Sequence, residues 1–291
     1  MTNHSVPDPV IGHDLIELFH GALIQHGTFN NRIYLMKIKD ANPNDLAPAL
    51  LKKARESRYT KVLVKIPHET GQPFLNSGYV QEAEIPNLYS GKQSAIILAY
   101  YLSKNRKLEN NRTENEKVYR LSIENQMPPE SIQKTQLENN FSLHNLTQDD
   151  VPEIAALYNT IFSSYPFPIN ESSFLMETME SHVDYFGIKT DGELIALSSL
   201  EKDTENLNAE MTDFATLPKW QGFSLAKHLL AHMEKEARLN GFKTAYTIAR
   251  AESPGINIVF TKNAYQYGGR LINNTHISGH IESMNIWYKA L

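Results

Sequence analysis

The chain has 291 residues, a formal net charge of -5 and no cysteine. That length exceeds one ordinary domain and fits two, each able to bury a core, and the acidic balance argues against a nucleic-acid partner, which demands clustered Lys and Arg. The missing cysteine excludes disulfides, thiolate metal sites and thiol nucleophiles and points to a reducing, cytoplasmic address; no run approaches the ~20 apolar residues of a membrane span, so no membrane partner is expected.

In chain order, the first thirty or so residues read as a mixed leader, with Asp and His where a secretory signal would be apolar. Residues 32–38 alternate like a strand, 44–55 read as a helix capped by Asn44 or Asp45, and 61–66 form a second strand stopped by Pro67. The stretch PFLNSGYV is a short helix or turn closing on Gly78 and Tyr79, and 94–102 is strand-like, which gives a β-α-β-α-β order. Residues 103–136 are dense in Lys, Glu, Asn and Gln with Tyr119 as the sole aromatic, too polar for a core of their own, and read as a partly helical linker. The division is therefore 1–102, a linker over 103–138, and 139–291.

In the second half, Asp149 or Asp150 caps a helix running through Phe162, YPFPI is a rigid loop, and 172–179 is another helix. Strands 185–189 and 194–200 flank Asp191 and Gly192, the strongest short hairpin signal in the chain. A strand over 208–216 then leads into a glycine-containing turn and an amphipathic helix with Leu225, Leu229, Met233 and Ala237 on one face, ended by Asn240 and Gly241. A strand over 244–249, a helix over 255–262 and strands over 270–277 and 283–288 complete the half.

The halves echo each other. ARESRYTKVLVKI (54–66) lies over ARLNGFKTAYTIA (237–249), and each is followed by a Phe five residues before a Tyr: Phe74 with Tyr79, Phe260 with Tyr265. The match suggests duplication, with a first copy that lacks the WQGFS turn and its ligand.

That turn, with an acidic strand before it, is the most informative feature. Gly222 permits close backbone approach, and free N–H groups at the start of the following helix suit a diphosphate, although a glycine used only for turning would look the same. The element order from 139 onward resembles the acetyl-CoA-dependent N-acetyltransferase (GNAT) superfamily. Its turn pattern is Arg or Gln, two residues, Gly, one residue, then Gly or Ala; this chain has Lys219, Gly222 and Ser224 at those positions. MTDFATLP, TAYTIARA, NAYQYGG, LINNT and ESMNIWYK, with YLMKI and GYVQEAEIP in the first half, look like the β-lysine N-acetyltransferases, which make the compatible solute Nε-acetyl-β-lysine.

The resemblance implies an α/β (mixed α+β) acetyltransferase fold, with a central, mainly antiparallel twisted sheet flanked by helices and a degenerate, non-catalytic N-terminal half. It also implies acetyl-CoA as co-substrate, no metal, and a small amine partner, with a homodimer left open. A side-chain amine with a reference pKa of ~10.4 is protonated at neutral pH and needs a base. Glu210 is the candidate, and Asp213 the alternative; strict alternation sets them on opposite faces unless a bulge intervenes. Backbone groups of Phe214, Ala215 and Thr216 are expected to pair with the pantetheine arm, and Lys219, Gln221, Gly222, Phe223, Ser224, Leu225 and Ala226 to hold the diphosphate. Asn257 is either a coenzyme contact or a helix cap, and Phe260 stands where the superfamily often carries a tyrosine acid, leaving Tyr265, Tyr267 or water for that task. Arg250 is the expected partner of the substrate carboxylate, with Glu252, Asn273, Asn274 and Glu282 for its amino groups. His228 and His232 share a helix face but lack a third ligand. Without a cysteine or evident nucleophile, direct transfer is expected. Another small diamine or amino acid, or a non-catalytic acyl-CoA sensor, are the competing readings.

Overall fold

The computed structural model describes residues 13–131, 136–138 and 140–291. The first half builds β1 (Leu15–Phe19), β2 (Ala22–Gly27), β3 (Arg32–Lys37), α1 (Pro43–Glu56), β4 (Lys61–Pro67), α2 (Gln72–Asn76), β5 (Val80–Tyr89) and β6 (Gln93–Tyr101). Helices α3 (Lys104–Lys107) and α4 (Arg112–Glu124) follow. The second half is β7 (Ser142–Leu146), α5 (Val151–Ile161), α6 (Ser172–Ser181), β8 (Val183–Thr190), β9 (Glu193–Asp203), β10 (Asn208–Thr216), α7 (Leu225–Leu239), β11 (Thr244–Arg250), α8 (Pro254–Lys262), β12 (Gln266–Ile277) and β13 (His280–Ala290).

Most of these elements follow from local sequence. Helix α1 buries Leu46, Ala47, Leu50, Leu51 and Ala54, the three-and-four spacing of one helical face. Its cap is Asn42 rather than Asn44 or Asp45, because Pro43 at the first helical position has no N–H to satisfy. Asp191 and Gly192 both take positive φ and join β8 to β9 as their hairpin requires. Four strands run against the sequence reading. Part of the expected leader forms the β1–β2 hairpin, turning at His20 and Gly21; β5 carries Glu82, Glu84 and Pro86, which disguise it; and β7 is a short edge strand. Each is held by a neighbouring strand rather than by its own pattern.

All thirteen strands lie in one sheet, ordered β1-β2-β3-β4-β6-β5-β12-β13-β11-β10-β9-β8-β7. From β1 inward and from β8 inward the pairings repeat: two antiparallel, one parallel, two antiparallel. The sequence echo falls on matching elements. The Tyr59 N–H donates to the Ala54 carbonyl as Phe242 does to Ala237, and Tyr79 donates to Phe74 as Tyr265 does to Phe260. Phe74 and Tyr79 meet edge-on at 5.4 Å, Phe260 and Tyr265 at 4.9 Å.

The halves join where β5 meets β12 antiparallel at Ala83 and Gly269. Gly269 has φ +139°, and a Cβ there would fall onto the Glu82 carbonyl and the Ala83 Cα, so only glycine lets the two strands approach. Beneath the seam, buried Lys61 bonds Glu82 and the Ile272 carbonyl, both at 2.8 Å. Lys65 Nζ reaches the Tyr246 hydroxyl at 2.8 Å although four strands separate β4 from β11 in the sheet, so the sheet curls until its inner faces meet. Leu63, Ile85 and Ile97 there share a core with Tyr246, Leu271, Met284 and Ile286.

The segment expected to be a linker carries α3 and α4, laid against β12 and α8. Arg106, 9% exposed, donates from Nε to the Asn273 carbonyl at 2.6 Å and from Nη2 to the Asn30 carbonyl at 2.8 Å, so this segment braces one half against the other. Residues 1–12 of the expected leader and 132–135 and 139 around the expected linker lie outside the described residues. Among the described residues no helix is long and apolar enough to cross a membrane.

Candidate active site

Strand β10 sets the site. Its pairing with β9 shifts between Thr212 and Ala215, and Asp213 takes φ +55° in this bulge. The extra residue overturns strict alternation and turns Asp213 toward the same cavity as Glu210. The cavity is about 290 Å³, near the lower end for small-molecule sites. Glu210 sits directly across from Glu201 on β9. Burial pushes the Glu210 carboxyl up to about 7, Glu201 adds to the rise, and Lys65 opposes it. A carboxyl so placed takes a proton readily near neutrality.

Asp213 is tied down instead. It accepts from Ser199 Oγ at 2.6 Å, from Thr212 Oγ1 at 3.2 Å and from the Tyr165 hydroxyl. Burial raises its pKa against the pull of the Ser199 and Tyr165 bonds, while burial and Asp213 together hold Tyr165 well above the usual phenol value. Glu210 is less tightly held: burial and Glu201 outweigh the Lys65 cation and the Tyr246 hydroxyl, which pull its pKa down.

Beyond Glu210 the sheet opens. β10 and β11 pair only from Asn208 with Thr244 to Glu210 with Tyr246, although β10 runs on to Thr216 and β11 to Arg250. The strands diverge, and the backbone of Phe214, Ala215 and Thr216 has no β11 partner, so an extended chain can pair there. The Phe214 ring turns into the core edge-on to Phe260, so that residue offers only its backbone. At the end of the wedge is the turn. Gly222 has φ +91° with open space where a Cβ would stand, and Ser224 is left-handed. The N–H groups of residues 222–226 donate to nothing among the described residues; the first helical bonds come from Lys227 and His228 to the Ser224 carbonyl. Free donors at the positive end of a fifteen-residue helix suit a diphosphate. Lys219 lies over the Trp220 ring at 4.8 Å, and Phe223 is half-exposed against Phe141 and Trp220. Gln221 and Ala226 flank the same turn, whereas the Leu225 side chain is core.

Other expectations need correction. Asn257 is fully buried: its amide donates to the Arg250 and Ser253 carbonyls, and its oxygen accepts from Asn285 and Trp287. Two donors and two lone pairs are used, so it organises α8 against β11 and β13 and has nothing left for a coenzyme. Phe260 is core, between Phe214 and Tyr265. Burial holds the Tyr265 hydroxyl well above the usual phenol value and pushes Tyr267 up to about 12. Arg250 forms a two-pronged pair with buried Glu282 at 2.6 and 2.9 Å, away from the cavity. Glu252 faces His280 at 3.6 Å, and Asn273 holds the Arg106 and Leu108 carbonyls. Of the five expected substrate contacts only Asn274 lines the cavity. His232 bonds Asn145 at 2.9 Å.

The sequence reading missed the first half's share. Gln25, Arg32, Tyr34 and Lys65 line the cavity beside Tyr165, Ser199 and Glu201. A signal was present: Arg32, Tyr34 and Met36 alternate onto one face of β3, and Lys65 interrupts the apolar run of β4.

Residues 153–255 match the acetyltransferase (GNAT) family model. The chain is 35% identical over 276 residues to a β-lysine N(6)-acetyltransferase of Methanococcus maripaludis, covering 94% of this chain and 98% of that protein. A β-lysine N(6)-acetyltransferase of Methanosarcina mazei is 31% identical over 263 residues, covering 85% and 97%. Among solved structures, spermidine N-acetyltransferase from Vibrio cholerae in complex with CoA and spermine aligns with TM-score 0.46 and 16% identity, over 53% of this chain and 96% of that one. The chain therefore belongs to the β-lysine N-acetyltransferase family of the GNAT acetyltransferases and is an N-acetyltransferase.

Proposed function

We propose that this enzyme transfers the acetyl group of acetyl-CoA to the N6 amine of β-lysine, making the compatible solute Nε-acetyl-β-lysine, by direct attack while both substrates are bound. The observation that carries this reading is Glu210, a buried carboxyl raised to about 7 that lines the cavity at the point where β10 leaves β11. Acetyl-CoA supplies an activated acetyl thioester. The N–H groups of residues 222–226, with Lys219 and Gln221 beside them, would hold its diphosphate, and the free backbone of Phe214 to Thr216 would align its arm.

An incoming ammonium meets Glu210 and Glu201, whose paired charge favours a cation. Glu210 takes one proton, so an N–H bond breaks and a carboxyl O–H forms. The nitrogen lone pair then forms the C–N bond as the C–S bond breaks; the sulfur keeps the electron pair, and the second nitrogen proton, acidic once the C–N bond has formed, passes to the departing thiolate or to solvent, leaving the neutral amide and free coenzyme A. A thiolate is a stable enough leaving group to depart without a dedicated acid, consistent with Phe260 in the usual tyrosine position. Asp213 positions Tyr165 and Ser199 and takes no part in proton transfer. The first half binds no coenzyme in this reading and works from the cytoplasm as a wall of the substrate cavity.

Thiol release from acetyl-CoA with β-lysine, lysine and polyamines in parallel tests the proposal. Highest kcat/KM is expected for β-lysine, with acetylation at N6 read by mass spectrometry. Tight acetyl-CoA binding without turnover of any amine would remove the enzymatic reading.

A further inference from the structure

The cavity holds a cluster of polar atoms that the transfer step leaves idle. Gln25, 1% exposed on β2, has neither Nε2 nor Oε1 hydrogen-bonded among the described residues. Arg32 Nε and Asn274 Oδ1 are likewise buried without a partner. All three residues line the cavity that contains Glu210. Seven buried side-chain polar atoms are unpartnered in the described structure, and these three residues hold four of them. Buried polar groups are costly unless bonded, so such a concentration inside a cavity marks a place where a ligand completes the bonds.

The charge at this end specifies the ligand. Arg32 is 4% exposed, yet no carboxylate lies within ion-pair distance of it among the described residues. Its Nη1 donates to the Asn274 carbonyl at 2.7 Å and Thr275 Oγ1 at 3.4 Å, and its guanidinium lies over Tyr34. The acids nearest in effect are bonded elsewhere: Asp14 to Asn30, and Glu82 to Lys61 and Tyr101. Burial lowers the Arg32 pKa to about 10, so it stays charged at neutral pH. The cavity therefore carries both signs of charge, with the Glu201 and Glu210 carboxylates on β9 and β10 beside Lys65, and on β3 a guanidinium without a carboxylate partner, alongside the open Gln25 amide.

We propose that Arg32 and Gln25 of the N-terminal half, with Asn274, form the subsite that binds the carboxylate and neighbouring amino group of an amino-acid substrate. The inference rests on acetyl transfer at Glu210. The carboxylate oxygens accept from Arg32 Nε and Gln25 Nε2, while the amino group donates to Gln25 Oε1 and Asn274 Oδ1. Amino acids are thereby distinguished from plain diamines, and the half without a coenzyme turn becomes the specificity element.

The test compares kcat/KM for β-lysine with that for the diamine left when its carboxylate is removed, in the full-length wild type, Gln25→Leu and Arg32→Gln. Gln25→Leu removes only atoms that have no partner, so it should fold with an unchanged melting temperature even if Arg32→Gln does not. Wild type should prefer β-lysine by about 100-fold, and each variant should shrink that ratio at least about tenfold, through KM for β-lysine rather than kcat. Retention of the wild-type ratio in Gln25→Leu, or no preference in the wild type, overturns the subsite while leaving acetyl transfer in place. Failure of the wild type to acetylate any amine overturns both, and is told apart by that result alone.

Discussion

The two halves share a strand order, yet the helix start that follows the third strand is closed in one and open in the other. In the first half, the parallel pair β3 and β4 also parts early, after Leu35 with Val64, but α1 begins on Pro43, with the Asn42 side chain already accepting from the Asn44 N–H. In the second half, β10 leaves β11 after Glu210, and α7 begins on left-handed Ser224 with no side-chain cap. One helix start is satisfied by its own chain; the other leaves its donors unpaired among the described residues. A fold repeated in this way serves two purposes, one copy opening a wedge and the other walling the cavity beside it, because function lies in sites rather than in topology.

The strongest blow to the comparison is Glu210→Gln. Loss of the base should lower kcat by about 10²- to 10⁴-fold and abolish the rise of activity through pH of about 7, read from a pH-rate profile. Stability should move the other way. The folded carboxyl titrates near 7 against an ordinary 4.5, so between these values the folded protein holds a proton that the unfolded chain has released, and stability falls as pH rises through that window. At pH 8 the variant should gain on the order of 1–3 kcal/mol in thermal or denaturant unfolding.

A paired substitution at the two helix starts comes next. Gly222→Asp, which places a carboxylate among the free N–H groups at φ +91°, should raise KM for acetyl-CoA at least about tenfold in steady-state kinetics. Asn42→Ala should cost about 1 kcal/mol of stability and leave that KM unchanged. If both variants changed coenzyme affinity, the contrast between the halves would fail.

Lys65→Met probes the smallest effect, one half tuning the other. Its cation lowers the Glu210 pKa, so its loss should carry the acid limb of the pH-rate profile above about 7. A displacement of roughly half to one pH unit is expected, with activity at pH 6 falling more than at pH 8.

Much of this was legible from residues alone. The helix spacing of α1 and α7, the Asp191-Gly192 hairpin, the glycine turn and the echo between residues 54–66 and 237–249 are short-range signals, and they set the element order. The strands β1, β2, β5 and β7 were hidden because edge pairing and a partner strand, rather than alternation, hold them in place. Glu210 and Gly222 could be singled out because they flank one strand and turn. Arg250 and Asn257 misled, since nothing local distinguishes a free polar side chain from one whose bonds close inside the core.

By itself the sequence determined the repeated α/β units, the acid before the turn and the family resemblance, all of which depend on residues close together in the chain. Tertiary structure alone decided that the bulge at Asp213 brings two acids to one cavity, and that the sheet, joined at the Gly269 seam, curls until Arg32 and Lys65 line the same cavity as Glu210. The second juxtaposition joins residues more than a hundred positions apart, where burial and charge act through space and leave no pattern along the chain.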